Sequence, residues 1–354
     1  MRKVVLAGLF AFTCVLPGSL SAAELKQNTA EAFNRYVRVT ENRMTRELGE
    51  RRAFLWVDGF PEPNRDKLYA QLRQGEIIIE QLETLESAKH IKVPDGLIHH
   101  WIAVSFIPGV SLQQTLALLQ DYDRHQTIYN PDILRSKILS TDGNHFKVYM
   151  RLHRKAIVTA VFNAEFDVTY FPVDEGRIRS QSYSTRIAEV ENADRPDERE
   201  KSIGNDHGYL WRLNSYWRFQ ERDGGVYVQV ESVALSRSVP TLLAWLVNPL
   251  LKRVPREYLS RLLGSTRTAL ANKNAATAFG TCLSGKQPPG KSFLIPRSDW
   301  LVGSEWATIQ ASRFFFGEHV ASRDIVEPRM RVLAERCFLE FVAGLTLSTV
   351  SMVW

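Results

Sequence analysis

The residues with the clearest capacity for acid–base chemistry are Asp121, Asp123 and His125, which alternate along a short polar stretch. A carboxylate beside an imidazole can orient the ring and stabilise its protonated form, so this set could act as an acid–base pair at the mouth of a cavity. The same residue types also favour turns, because their side chains hydrogen-bond nearby backbone groups. The sequence favours this second interpretation, a solvated helix end, and no residue is predicted to be catalytic.

Motifs for other chemistries are missing from the chain. It contains no Gly-x-Ser-x-Gly, His-Glu-x-x-His or Cys-x-x-Cys motif. His99 and His100 are adjacent on a predicted strand, where neighbouring side chains point to opposite faces, so they cannot hold one metal ion together. We therefore predict no metal site and no cofactor.

Two glutamates on predicted strands, Glu165 and Glu231, are further candidates for a general base. Each alternates out of phase with the apolar residues of its strand, so each is predicted to lie on the face away from the apolar side. We interpret Glu231 as an outer-face partner of Arg218 and not as a general base. The chain is accordingly expected to be a binding protein more than an enzyme, and the enzyme alternative stays open.

Apolar residues that alternate along a hairpin form the strongest pattern in the chain. Residues 208–219 and 226–231 alternate in this way on either side of Asp223-Gly224, a pair that favours a tight turn. This pattern is typical of two paired strands with one buried face. The polar residues between the apolar ones, among them Tyr216 and Arg218, are predicted to face water.

The apolar face of this hairpin has two interpretations. Its large side chains could pack together as ordinary core, since aromatic residues dominate protein cores. Some of them could instead line a ligand cavity. The candidates for cavity lining come from the hairpin, from a strand before it and from the helix after it. They are Phe162, Phe166, Trp211, Leu213, Trp217, Phe219, Val228, Val230, Tyr258, Leu259 and Leu262.

A long amphipathic helix follows the hairpin. It is predicted from about Ser238 to about Leu270, in two pieces or as one kinked helix, because Pro249 and Pro255 interrupt it. Its first part, Leu242–Arg253, is apolar and ends in two basic residues, which suits a membrane interface and equally suits the start of a buried helix. The sequence favours burial, and transient membrane contact stays open.

The elements before the hairpin complete an α+β fold. Two helices, Thr29–Leu48 and Asn64–Arg73, belong to an N-terminal layer over residues 24–95. The main domain then begins with a strand at Leu97 and a helix capped by Ser111. Four further strands follow within residues 133–190, so that the sheet has about seven antiparallel strands in all.

Three short motifs of this domain resemble the START/polyketide-cyclase superfamily, also called SRPBCC, which includes the birch-pollen-allergen proteins. They are the Asp121–His125 corner, the Gly208–Trp211 strand start, and Glu231–Arg237 before the last helix. The resemblance covers about residues 97–271. It implies a helix-grip fold, in which a curved antiparallel sheet wraps around a long C-terminal helix and encloses a hydrophobic cavity.

Members of that superfamily bind sterols, phospholipids, quinones or polyketides, and some are cyclases, dehydratases or hydrolases. The resemblance therefore implies a protein that binds or carries a hydrophobic small molecule or lipid. Two alternatives stay open because a fold alone does not decide function. One is an enzyme of the cyclase or dehydratase type, and the other is a structural or interaction module without a ligand.

The N-terminus predicts export. Met1-Arg2-Lys3, an apolar run to Leu16 and Ser21-Ala22-Ala23 are typical of a secretory signal peptide cleaved after Ala23, so the protein is expected to be periplasmic or secreted. Cleavage leaves 43 Lys and Arg against 39 Asp and Glu, a net charge of +4. This charge is mild, and we predict no nucleic-acid partner.

The C-terminal part, residues 272–354, lies outside the resemblance. Its glycines and prolines near residues 280–296 are typical of a linker, and the rest is interpreted as a poorly ordered extension. The predicted organisation is thus a signal peptide over 1–23, an N-terminal layer over 24–95, the ligand-binding domain over 96–271 and this extension. Cys282 and Cys337 are the cysteines left after cleavage, and a disulfide between them stays open.

Overall fold

The structure is a computed structural model that describes residues 23–49, 53–155, 159–238 and 244–283. For residues 23, 244–252 and 274–283 the description covers the backbone alone. Residues 1–22 of the predicted signal peptide and the residues from 284 onward lie outside the described ranges. The same is true of Cys337 and of the side chains of Cys282 and of most of Leu242–Arg253, so the predictions made for them stay predictions.

One large antiparallel sheet organises the described chain. Its strands are β1 (Ile78–Gln81), β2 (Gly96–Pro108), β3 (Ile133–Asp142), β4 (His145–Lys155), β5 (Thr159–Asp174), β6 (Arg177–Glu191), β7 (Arg212–Arg222) and β8 (Gly225–Arg237). They pair in the order β1-β2-β8-β7-β6-β5-β4-β3, and Arg199–Glu200 adds a short ninth strand beside β6. All seven predicted strands are present, together with the edge strand β1.

The hairpin of β7 and β8 has the register that its turn dictates. Asp223 and Gly224 both adopt positive φ, at 58° and 75°, as a two-residue hairpin loop requires. The turn places Val230 opposite Trp217 and Val228 opposite Phe219, as predicted. The large apolar side chains of the hairpin therefore lie on one face.

Five helices flank the sheet. They are α1 (Gln27–Gly49), α2 (Asn64–Arg73), α3 (Leu112–Leu119), α4 (His125–Ile128) and α5 (Ala244–Leu283). A short 3-10 turn, Trp56–Gly59, precedes α2, and another, Tyr122–Arg124, precedes α4. Ser111 and Gln114 exchange side-chain-to-backbone hydrogen bonds of 3.1 and 2.9 Å at the start of α3, the capping box that the sequence predicts.

The helix α5 is a single helix of 40 residues and extends beyond the predicted end near Leu270. Pro249 and Pro255 lie within it and do not divide it. Leu259, Leu262, Leu263 and Leu270 pack against the inner face of the sheet together with residues of α3 and α4. This arrangement, a long C-terminal helix held against an antiparallel sheet, is the helix-grip fold that the sequence predicts.

The outer face of the sheet is also buried, which the sequence did not predict. Phe33, Tyr36 and Met44 of α1 pack on Tyr216 and Val233. Farther along, the 3-10 turn and α2 cover Tyr227 and its neighbours on β2. Tyr216 and Arg218, predicted to face water, are 3% and 4% exposed. The prediction was wrong because the N-terminal layer covers this face, so the hairpin has packed elements on both of its sides.

Candidate functional site

A cavity of about 100 Å³ lies between the inner face of the sheet and α5. Its floor is formed by β4 to β8, and residues of α3, α4 and the turn between them close one side. Twenty-one residues line it: Leu119, Tyr122, His125, Tyr129, Ile133, Met150, Leu152, Phe166, Val168, Tyr170, Ser180, Ser182, Leu213, Ser215, Trp217, Phe219, Val230, Ser232, Tyr258, Leu259 and Leu262.

The structure brings most of the predicted cavity residues together. Eight of the eleven candidates are in the lining, namely Phe166, Leu213, Trp217, Phe219, Val230, Tyr258, Leu259 and Leu262. Phe162 and Val228 belong to the same apolar cluster without reaching the cavity.

Trp211 lies on the other side of the sheet. It packs with Phe33 and Tyr36 in the outer cluster, and its indole Nε1 donates a hydrogen bond of 3.1 Å to Asp206. The prediction was wrong because β7 begins at Arg212, so Trp211 precedes the strand and the two-residue alternation of side chains does not extend to it.

A row of serines crosses the cavity floor. Ser182 of β6 and Ser232 of β8 both lie opposite Ser215 of β7 in the strand register. Ser180, two residues before Ser182 on the same strand, lies opposite Trp217. Small side chains at these positions leave space above the sheet, and their hydroxyl groups add a polar stripe to an otherwise apolar floor. The sequence interpretation considered the alternation of large apolar residues alone, so it did not reveal this row of serines.

Two pairs of hydroxyl groups border the cavity. The phenol oxygens of Tyr122 and Tyr170 are 2.9 Å apart, and that of Tyr129 lies 3.1 Å from the Thr266 hydroxyl on α5. Burial raises the pKa of Tyr122 and Tyr129 well above the ordinary value of a phenol, and raises that of Tyr170 to about 12. These phenols therefore stay neutral near pH 7.

His125 is buried beside them. Its Nε2 lies 3.0 Å from the carbonyl oxygen of Leu119, so Nε2 carries the hydrogen and Nδ1 is left as an acceptor. Burial lowers the pKa of His125 to about 4, against a smaller opposite effect of the bond to Leu119. The imidazole is therefore neutral near pH 7.

The acid–base set weighed from the sequence does not form. Asp123 accepts a hydrogen bond of 2.8 Å from the backbone N–H of Ile138, and Asp121 lies 3.9 Å from Arg124. His125 is directed to Leu119 instead. The favoured interpretation, a solvated helix end, holds for Asp121 and Asp123 but was wrong for His125, which is buried and lines the cavity.

Ionised groups lie at the rim of the cavity, outside its lining. The Asp132 carboxylate accepts two hydrogen bonds of 2.8 Å from Arg261 of α5. The guanidinium of Arg154 lies 4.1 Å from the ring centre of Tyr258 and 4.0 Å from Asp132. None of the 21 lining residues is Asp, Glu, Lys or Arg. The rim carries charge, and the interior is neutral.

Three contacts hold the middle of α5 in place. Arg261 binds Asp132, Thr266 pairs with Tyr129, and Arg267 donates a hydrogen bond of 2.6 Å to the carbonyl oxygen of Gly75. These contacts fix the helix over the sheet at the level of Leu262, and so they fix the roof of the cavity.

A separate network of charges lies on the outer face. Glu231 receives hydrogen bonds from Arg43 of α1 and, at 2.7 Å, from Nε2 of His100. Burial opposes its ionisation, but the bond from His100 and the positive charges of Arg43 and Arg218 outweigh it and lower the pKa of Glu231. Arg218 itself donates to Glu47, at 2.8 Å. Glu231 is on the outer face as predicted, but its direct partners are Arg43 and His100.

Among the described residues, no group of three or more His, Cys, Asp or Glu side chains is placed to hold a metal ion. Within the same part of the chain, no helix is both long and apolar enough to cross a membrane.

No protein-family model matches the chain, and no curated protein matches it. Solved structures are similar to it at 10–15% sequence identity. A STAR-related lipid transfer protein from Xanthomonas axonopodis is 15% identical, covers 55% of this chain and 98% of its own, and gives a TM-score of 0.36.

Two other solved structures extend the comparison. Human STARD10 is 10% identical over 65% of this chain and 90% of its own, with a TM-score of 0.37. The Zhui aromatase/cyclase from Streptomyces sp. R1128 is 10% identical over 50% of this chain and 96% of its own, with a TM-score of 0.33. The helix-grip fold is the fold of this chain.

Proposed function

We propose that this protein binds or carries an apolar small molecule in the cavity between the sheet and α5. One observation on β7 carries the proposal. Leu213, Ser215 and Trp217, which face the cavity, are only half-buried, whereas Asn214, Tyr216 and Arg218 on the opposite face are buried. If the outer face were solvated and the inner face fully packed, the inner residues would be buried and the outer ones exposed. The observed burial is the opposite, so the inner apolar face has contact area left for a ligand.

The size and polarity of the cavity limit this ligand. Its volume of about 100 Å³ is below the roughly 300–1,000 Å³ that is typical of ligand pockets. The ligand is therefore compact, or the half-buried side chain of Trp217 moves to admit a larger one. Most lining side chains are aliphatic or aromatic, so burial of apolar surface supplies most of the binding free energy.

Fluorescence of N-phenyl-1-naphthylamine, an uncharged apolar probe, tests the proposal. The wild type is expected to bind the probe with increased emission. Trp217→Ala and Leu262→Ala are expected to change its affinity, because both side chains line the cavity. Leu139→Ala is the matched control, since Leu139 is 49% exposed on the edge strand β3. Absence of binding to the wild type, or equal affinity in all four proteins, would favour a module without a ligand.

His125 favours a second candidate function, an enzyme that works within the same cavity. A neutral imidazole with Nδ1 as an acceptor could remove a proton from a bound ligand. The separation of Asp121 and Asp123 from the ring removes the carboxylate that would assist it, and we place this candidate second. Turnover of a bound ligand that is lost in His125→Gln, with binding retained, would reverse that order.

We also propose that the protein is exported, on the basis of its N-terminal sequence. The ligand would then be a molecule of the periplasm or the cell envelope. Native mass spectrometry of protein purified from that compartment would identify what the cavity carries.

A further inference from the structure

We propose that the cavity selects an uncharged ligand with a hydroxyl or carbonyl oxygen, and that the serine row of Ser182, Ser215 and Ser232 receives this oxygen. The inference rests on the proposed function, which it makes more specific. It depends on three properties of the described residues, namely the position of the serines, their missing hydrogen-bond partners and the absence of charge around them.

The register fixes the position of the serines. Because Ser182 and Ser232 both lie opposite Ser215, the three side chains sit side by side on neighbouring strands, with Cβ atoms about 5 Å apart. All three line the cavity, as does Ser180. A single ligand oxygen above Ser215 would be within reach of at least two of these hydroxyl groups.

The cavity serines have no hydrogen-bond partner among the described residues. Ser180 and Ser182 are only 2% and 9% exposed as whole residues. Their hydroxyl oxygens are not among the fully buried polar atoms without a partner, so these oxygens remain accessible from the cavity. Other serines of the sheet do have partners. Ser136 accepts a hydrogen bond of 2.9 Å from the N–H of Gln126, and Ser184 accepts one of 2.9 Å from the N–H of Leu213. The hydroxyl groups of the cavity serines, in contrast, keep unused donors and acceptors, and they face the cavity.

The cavity is expected to exclude an ionised ligand group, because no free counter-charge is available to it. Among the described residues, the lining contains no Asp, Glu, Lys or Arg, and an enclosed ion without a counter-charge is strongly unfavourable. The cations at the rim do not compensate, because Arg261 already binds both oxygens of Asp132 and Arg154 lies beside the same carboxylate. A serine hydroxyl can donate and accept, so either a carbonyl or a hydroxyl oxygen suits it.

Three ligands with the same ring system test the inference: naphthalene, 2-naphthol and naphthalene-2-carboxylate. At pH 7 the phenol is neutral and the carboxylic acid is ionised. Dissociation constants are measured by displacement of N-phenyl-1-naphthylamine. We compare the wild type with the triple variant Ser182→Ala, Ser215→Ala, Ser232→Ala. The control is Ser105→Ala, which removes a buried hydroxyl that also lacks a partner but does not line the cavity.

The wild type is expected to bind the carboxylate weakest. The preference for 2-naphthol over naphthalene is expected to fall by about 2- to 10-fold in the triple variant, the effect of losing a net hydrogen bond, and to stay unchanged in Ser105→Ala. The preference is the ratio of the dissociation constants of naphthalene and 2-naphthol. The two ligands differ in hydration by the same amount for every protein, so this difference cancels when the ratios are compared. The melting temperature of the triple variant should not fall, because its missing hydroxyl groups had no partners. The single variants Ser182→Ala and Ser215→Ala, with smaller changes, serve if the triple variant does not fold.

The outcomes separate the two proposals. If none of the three ligands and no apolar probe binds, the proposed function itself fails. If naphthalene binds but the preference for 2-naphthol survives the serine substitutions, the serine row does not receive the oxygen. The tightest binding by the carboxylate would likewise overturn the inference, and it would move the polar subsite to the rim.

Discussion

His100 Nε2 lies 2.7 Å from the Glu231 carboxylate, and both side chains are almost completely buried on the face of the sheet away from the cavity. The phenol of Tyr36 accepts a hydrogen bond from the N–H of Thr84, at 2.7 Å, and lies 2.9 Å from Nδ1 of His100. The phenol hydrogen therefore goes to Nδ1, and Nε2 carries the hydrogen donated to Glu231. This relay attaches α1 to the sheet.

Glu231→Gln is expected to destabilise the protein by about 3 kcal/mol at pH 7, because it removes the negative charge that Arg43 and His100 face in a buried site. Urea unfolding measures the change. The control is Asp95→Asn, whose pair with Lys26 is exposed at 59% and 57% and is screened by solvent, so its loss should change stability little. Equal losses in the two variants would contradict the importance of the relay. Probe binding should not change in Glu231→Gln.

The pH dependence of this relay follows from the lowered pKa of Glu231. The unfolded chain then binds the proton more readily than the folded protein, so the contribution of Glu231 is complete above the ordinary pKa of Glu, about 4.3. It is lost as the pH falls through the lower folded value. In Glu231→Gln, the decline of stability below pH 4.3 should be shallower than in the wild type.

Acidification is also expected to lower the free energy of unfolding through His125, and this loss begins at a higher pH than the loss through Glu231. The folded pKa of His125, about 4, is below the ordinary value of 6.5, so acidification protonates the unfolded chain first. The resulting loss begins below pH 6.5 and amounts to about 2 kcal/mol at pH 5. His125→Gln keeps a side-chain N–H donor without titrating, so it should lose less stability than the wild type between pH 7 and 5. The pKa of His99 is also lowered by burial, so the test is the difference between the two proteins. Parallel profiles would contradict it.

Trp211, just before β7, and Trp217, in the middle of β7, should respond differently to truncation to alanine. Trp211→Ala removes a packed side chain of the outer cluster and should destabilise the protein by about 3–5 kcal/mol without altering probe affinity. Trp217→Ala removes a half-buried side chain that lines the cavity, and it should change probe affinity at a smaller loss of stability. Melting temperature and probe titration, measured on both variants, check this. The reverse pattern would place Trp211 in the binding site.

These residues also show what the sequence could and could not predict. The register of β7 and β8 was predictable because Asp223 and Gly224 form the turn, and turn geometry acts locally. The burial of Tyr216 and Arg218 was not predictable, because their partners Glu41 and Glu47 lie 175 and 171 positions away in the chain. A period of two residues places side chains on alternate faces but does not reveal what covers each face. The charged residues of α1 were the available signal.

The packing of α5 predicts that the residues after Lys273 can be removed without loss of the fold. Leu270 is a buried core residue of this helix, and residues 271–273 are exposed. A chain that ends after Lys273 is therefore expected to keep a cooperative thermal transition and most of its stability. Ending the chain after Tyr258 instead removes Leu259, Leu262 and Leu263 and should abolish the transition. Loss of the transition in the longer chain would show that residues beyond 273 complete the core.

Export gives a prediction that does not depend on the fold. N-terminal sequencing of the protein from the cell envelope should recover a chain that begins at Glu24, after cleavage following Ala23. Replacing Leu6 and Leu9 by Arg interrupts the apolar run and should keep the protein inside the cell. An intact Met1 on wild-type protein from the envelope would contradict cleavage.

The alternation along β8 restricts how this protein can change. Val230 and Ser232 border the cavity, while Glu231 between them faces α1. One inserted or deleted residue in this strand would exchange the two environments and carry a carboxylate into the ligand space. Substitution can therefore alter the cavity and the α1 contact independently of each other, but a change of strand length alters both at once. In evolution or engineering, new ligand preferences should arise by replacement within β7 and β8, with insertions confined to the loop between β6 and β7.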